Sequence, residues 1–146
     1  MKIRTGFVSN SSSSSFIIIN NDNIEQINLP EFYIIGQSGE TEFGWQENQY
    51  CDFNSKVNFC YLQYMATCNE NYKDMLYKVI KDNSNVKEIE SIISSDYGEN
   101  NKVWGYIDHQ SSSIEGENLE MFESEDNLKN FLFCSSSCIH TDNDNH

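Results

Sequence analysis

The chain has 146 residues, enough for one domain with a real core. Aromatic residues make up 13% of it, which excludes an acidic disordered chain even at a mean hydropathy of -0.61. The net charge of -14 argues against direct binding of nucleic-acid phosphate or of an anionic membrane, and favours a basic protein partner, a cation or simply solubility. The charge is also uneven: residues 1–87 hold 10 acids and 7 bases, a net of -3, whereas residues 88–146 hold 13 acids and 2 bases, a net of -11.

The first apolar residues, Gly6-Phe7-Val8, stop at Ser9-Asn10. A secretory h-region needs about 7–15 apolar residues, so no export signal is expected. The five serines Ser11–Ser15 read as a looped connector, with an anion-binding nest or a modification site as the alternatives. Phe16-Ile-Ile-Ile19 reads as a short strand buried on both faces. It is far short of the roughly 20 apolar residues of a membrane span.

The stretch Phe7-Val-Ser-Asn-Ser-Ser-Ser-Ser-Ser-Phe16 resembles the opening of a scattered group of small uncharacterised proteins of bacteria and their phages. Ile107-Asp-His-Gln-Ser111 and Thr141-Asp-Asn-Asp-Asn145 are similar to stretches in some members. The resemblance covers about a sixth of the chain. It implies a phage or mobile-element origin and carries no activity or catalytic residue with it.

Further along, Glu31–Ile35 and Thr41–Gln46 read as strands, the second with Thr41, Phe43 and Trp45 on one face. Gly36 and Gly39 lie in the short link between them and predict a hairpin. Asp52 is placed to cap a helix from Phe53 to about Cys68, with Phe53, Val57, Cys60/Tyr61, Tyr64 and Cys68 on its inner stripe. A second helix is predicted over Tyr72–Lys81, with Met75, Leu76, Val79 and Ile80 inward. A third follows over Val86–Ser94, capped by Ser84 or Asn85. Asp96–Asn101 is a turn, Val103–Asp108 a strand and residues 109–124 a polar loop. Ser124 caps a short helix, Glu125–Phe133, and Ser137–Thr141 forms a last strand. The pattern is that of a single α+β domain over residues 1–146, a mostly antiparallel sheet with helices packed on one face.

Three groups of residues could carry function. Asp108-His109 and Asp142/Asp144, with His140, offer carboxylates and an imidazole at strand ends, a donor set for a hard divalent cation. Such a metal could activate water in a small hydrolase with Asp108 and His109 as its catalytic pair; the plainer reading is that these residues make turns. Cys134-Ser-Ser-Ser-Cys138 has a C-x3-C spacing, which offers zinc or redox chemistry only weakly, because no second pair is evident. The five cysteines, an odd number without an export signal, predict reduced thiols in a cytosolic protein.

The third group is the acidic belt Glu115, Glu117, Glu120, Glu123, Glu125 and Asp126. Alternate residues of an extended chain stand roughly 6.6 Å apart. That is about twice the 3.4 Å rise per phosphate on one DNA strand. The belt could therefore occupy a basic, nucleic-acid-binding groove of a host protein. The reading favoured by the sequence is a non-enzymatic interaction protein in the cytoplasm of a bacterial host, with no cofactor. The alternative is the divalent-metal hydrolase.

Overall fold

The computed structural model describes residues 3–4, 16–44, 47–107 and 119–141. Asp52 caps the first helix as its chemistry predicts: its carboxylate accepts the Ser55 backbone N–H at 2.9 Å. The helix, α1, runs over Phe53–Thr67 and stops at Cys68, whose φ of 56° lies in the left-handed region. Asn69 caps α2, Glu70–Asp82, which turns Leu76, Val79 and Ile80 inward. Ser124 caps α3, Glu125–Phe133, with Glu125 and Asp126 in the first turn, where the helix dipole favours anions.

Ten short strands are found among the described residues. In order they are β1 (Ile3–Arg4), β2 (Phe16–Ile19), β3 (Phe32–Ile35), β4 (Glu42–Phe43), β5 (Asn48–Tyr50), β6 (Glu88–Ser91), β7 (Ile93–Ser94), β8 (Val103–Trp104), β9 (Tyr106–Ile107) and β10 (Cys138–Thr141). The largest sheet has the order β1-β2-β10-β5 and is antiparallel throughout. Three parallel ladders, β3–β6, β4–β9 and β7–β8, flank it. The fold is mixed α+β, as expected. The three helices touch one another, α3 lies against β2, and α1 lies against β3 and β9. One core joins them, with Ile17, Ile35, Phe43, Val57, Leu76, Ile80, Leu128 and Phe131 all fully buried.

Four local expectations need correction. β2 alternates instead of being buried on both faces: Ile17 and Ile19 are buried, Phe16 and Ile18 only partly. The β3–β4 hairpin does not form. Its link is held on α1 instead, where the Asn58 side chain accepts the Gly36 N–H and donates to the carbonyls of Ser38 and Glu40. Gly39 is required there, because its φ is +84° and a Cβ would stand 2.6 Å from the Ser55 nitrogen.

The third correction concerns Val86–Ser94, which forms β6 and β7 and not a helix. The cap residues are engaged elsewhere. Ser84 donates to the Ile80 carbonyl at the end of α2, and Asn85 pairs with both the N–H and the carbonyl of Leu29. The period-two pattern Glu88-Ile89-Glu90-Ser91 then suits a ladder with β3. Finally, Val103–Asp108 is interrupted at Gly105, where the chain changes partner from β7 to β4.

The cysteines depart from expectation as well. Cys51 and Cys138 are joined in a disulfide across the neighbouring strands β5 and β10, while Cys60, Cys68 and Cys134 are free. Reduced thiols throughout are therefore not what the structure holds. Among the described residues, no helix is long and apolar enough to cross a membrane.

Candidate functional site

The expected metal group lies mostly outside the described residues. Asp108, His109, Asp142 and Asp144 belong to that undescribed chain, and so do Glu115 and Glu117 of the belt and Trp45 of the second predicted strand. His140 is described. It sits within β10, opposite Phe16 of β2, and its ring stacks on the Phe16 ring at 4.7 Å. Among the described residues, no three His, Cys, Asp or Glu side chains gather as a metal set. The strands that lead to the two acidic groups do end near one another in the topology. Ile107 pairs with Phe43 and Thr141 with Asn48, on either side of the short link between β4 and β5.

Four acids of the belt are described, and they are not extended. Glu120 opens a 3-10 turn, Glu120–Phe122, that places Met121 and Phe122 in the core. Glu123 follows the turn and is exposed, and Glu125 and Asp126 are exposed in the first turn of α3. The phosphate-like extended spacing therefore fails over 120–126. Burial, with Glu123 beside it, pushes the Glu120 carboxyl up to about 6. Glu125 faces Lys78 at 3.1 Å, and Lys78 also meets Asp82 at 2.7 Å. Glu123 and Asp126 have no ion pair among the described residues.

The Cys134–Cys138 segment is neither a zinc pair nor a dithiol, because Cys138 is bonded to Cys51. Cys134 is fully buried at the end of α3, and the turn that follows it is fastened from several sides. The Lys56 ammonium, 1% exposed, donates to the carbonyls of Cys134 at 3.0 Å and Ser137 at 2.9 Å. Ser137 accepts the Asn20 N–H and donates to the Asn130 carbonyl, both at 2.8 Å. Ser136 donates to the Asp22 carboxylate at 2.9 Å, and the Cys134 sulfur lies 3.2 Å from the same oxygen.

Each shift in this cluster has a local cause. Burial holds Lys56 down at about 8, against the pull of Cys134 and Asp52. Hydrogen bonds from Ser136 and then Cys134 hold the Asp22 carboxyl below its usual value. Burial pushes the Cys134 thiol up, but its hydrogen bonds to Ser136 outweigh that and the net direction is down. A reactive thiol must also be reachable. Cys134 is not, and the Lys56 ammonium is directed at carbonyls, so the cluster works as a fastening of the α3–β10 turn.

Sequence reasoning missed Lys56, and with it Asn58 and Gln63, all fully or nearly fully buried on α1. A signal was present. Positions 53, 56, 57, 60 and 63 follow one helical stripe, and two of the five are polar. A concavity of about 590 Å³ lies elsewhere, between residues 24–27, the 82–85 turn and α3, and its described lining holds none of the expected metal-site residues. No protein-family model, curated protein or solved structure matches the chain.

Proposed function

We propose that this protein acts without chemistry of its own, by docking an acidic face on a basic surface of another protein. The carrying observation is how its charges are used. Lys56 is buried, and Lys73, Lys78 and Lys87 each face a carboxylate. Glu123 and Asp126 stay exposed, well inside the half of the chain richest in acids. Their charge is left for an outside partner. The resemblance of the opening segment makes a nucleic-acid-binding protein of a bacterial host the partner class we favour. A basic groove would be masked by charge complementarity, which steers association and is screened by salt.

The test is capture from bacterial lysate at low and at high salt. The bait is used in native form and with Glu115, Glu117, Glu120, Glu123, Glu125 and Asp126 replaced by their amides. A basic partner should be held at low salt, released at high salt and lost by the amide variant. Capture that survives all six replacements overturns the reading, and so does the absence of any partner.

One observation favours the second reading, the divalent-metal hydrolase of Asp108, His109, Asp142 and Asp144. The strands that precede these residues end beside the same β4–β5 link. Calorimetric titration with magnesium, manganese and zinc decides it: heat that disappears in Asp142→Asn with Asp144→Asn would move the hydrolase ahead.

A further inference from the structure

Among the described residues, Tyr97 is the most exposed large apolar side chain, at 81%. A lone ring in solvent needs no explanation, but Tyr97 is not alone. Its ring meets that of Trp104 edge to face at 4.9 Å, and Trp104 lies 4.6 Å from Tyr106. Trp104 and Tyr106 are both partly exposed. The backbone runs extended between them: the Gly105 N–H goes to Ser94 and the next one, from Tyr106, to Thr41 on the opposite neighbour. Gly105 itself is pressed toward α1 and β7, where a Cβ would stand 2.8 Å from Ile93 Cγ2 and 3.2 Å from Leu62 Cδ2. Successive residues of a strand face opposite ways, so the two rings lie on the side turned away from α1.

The row of rings is held in place. Ser94, paired with Trp104 across the β7–β8 ladder, accepts the Asp96 N–H at 3.0 Å and donates to the Glu99 carboxylate at 2.6 Å. The Lys102 N–H closes the turn on the Glu99 carbonyl at 3.3 Å. The turn that carries Tyr97 is thus tied at both ends, and a partner meets a ring already in position.

The surroundings are acidic. Asp96 and Glu99 are exposed in the Tyr97 turn. Glu42, also exposed, stands opposite Tyr106 in the β4–β9 ladder and on the same face. Lys102 is the one base in the turn and these ladders. Rings with carboxylates at both ends suit a cation that also stacks. Arginine is that cation, since guanidinium is planar, always charged, lies on aromatic faces and forks to carboxylates. Nucleic-acid bases stack as well, but their phosphates would meet these acids.

We infer that the Tyr97–Trp104–Tyr106 face docks an arginine-bearing segment of a basic protein, with the guanidinium on the rings and its N–H groups turned to the neighbouring carboxylates. The face uses none of the belt residues, so it stands or falls apart from the docking proposed above.

The experiment is an NMR titration of the full chain with four probes: a blocked Gly-Arg-Gly peptide, its lysine counterpart, its citrulline counterpart and cellobiose. Citrulline keeps the plane and lacks the charge; cellobiose stacks on rings without either. The Trp104 indole N–H and the Tyr97 and Gly98 amide signals should move with the arginine peptide, less so as salt rises. The lysine and citrulline peptides should bind at least roughly threefold more weakly. Tyr97→Ala, at an exposed position, should lower the affinity for the arginine peptide roughly fivefold, and Tyr97→Phe should keep it. Glu42→Gln with Asp96→Asn and Glu99→Gln should lower it as well. The six belt replacements should leave the preference for arginine over lysine in place, so failure here and failure of belt docking are told apart. The inference is overturned if the arginine peptide moves none of these signals at millimolar concentration, if the lysine peptide binds as well, or if Tyr97→Ala binds as the native chain does. Binding of cellobiose in preference to the arginine peptide also overturns it, and would make the face a sugar platform.

Discussion

The two ends of α1 teach different lessons about buried polarity. At its first turns every inward polar group is answered. Ser55, Lys56 and Asn58 together reach six backbone carbonyls or amide groups on two separate loops. The disulfide adds a covalent tie at the same end, since Cys51 precedes the Asp52 cap and Cys138 follows the turn that Lys56 holds. At its last turns the helix buries Gln63 with no hydrogen-bond partner among the described residues. One end is a fastening, where polarity fixes loops that could not be fixed by apolar contact. The other leaves one buried amide unanswered among the described residues, at a cost the first end avoids.

The sharpest way to break the comparison is at the covalent tie. The bond closes a stretch from residue 51 to residue 138, so its loss through Cys51→Ser with Cys138→Ser should destabilise the fold by about 4.6 kcal/mol on the chain-entropy account. Denaturant unfolding measures this. Thiol labelling of the unfolded chain should count three reactive cysteines before reduction and five after, and five at the outset would remove the bond from the argument.

Next comes Lys56→Ala, expected to cost about 3 kcal/mol, because the Cys134 and Ser137 carbonyls would be left buried without a donor. The same residue gives a pH signature. Its folded value is depressed to about 8, whereas the unfolded chain keeps the ordinary 10.5, so the unfolded state binds the proton more tightly. Stability should therefore rise as pH climbs from about 8 to 10.5, by on the order of 3 kcal/mol from this group. Burial raises the Cys60, Tyr33 and Tyr77 values, and these groups pull the curve the other way above about pH 9. The test is therefore the difference between the native chain and Lys56→Met: no difference between the two profiles would contradict the assignment.

Asn58→Ala should cost about 2 kcal/mol, from the loss of hydrogen bonds to Gly36, Ser38 and Glu40. Hydrogen exchange should report it as opening of the 36–40 link while the Lys56 turn stays protected. Smallest, and opposite in sign, is Gln63→Leu. Removing an unpaired buried amide should stabilise the protein by about 1 kcal/mol. A loss of stability there would mean that Gln63 has a structural partner after all.

Much of this contrast was legible in the sequence, though not all of it. Asp52 and Ser124 announce their helices because a cap is a local arrangement, complete within four residues. The belt and the aspartates could be seen as residue types, but their arrangement depends on chain that is far away in sequence or outside the described residues. Val86–Ser94 misled because its spacing of isoleucines fits a helix, while the residues able to cap that helix serve α2 and Leu29 instead. Lys56 and Gln63 occupy positions on the apolar stripe of α1, which marked them as anomalies. Whether an anomaly is answered depends on the 134–137 turn and on the Gly105 strand, and no local pattern carries that.

The β3–β6 ladder has a consequence for how this chain assembles. It pairs Phe32 with Glu88 in parallel, and both α1 and α2 lie between its strands in sequence. So large a loop is slow to close before the intervening chain has compacted. The helices should form and meet first, and this ladder should zip late, leaving two open strand edges waiting in water. Glu88 and Glu90 point outward from β6 and Glu31 stands just before β3. Their like charges would repel a second copy at the stage when the edges are bare, so acids outside the belt, placed around this ladder, guard against misassembly.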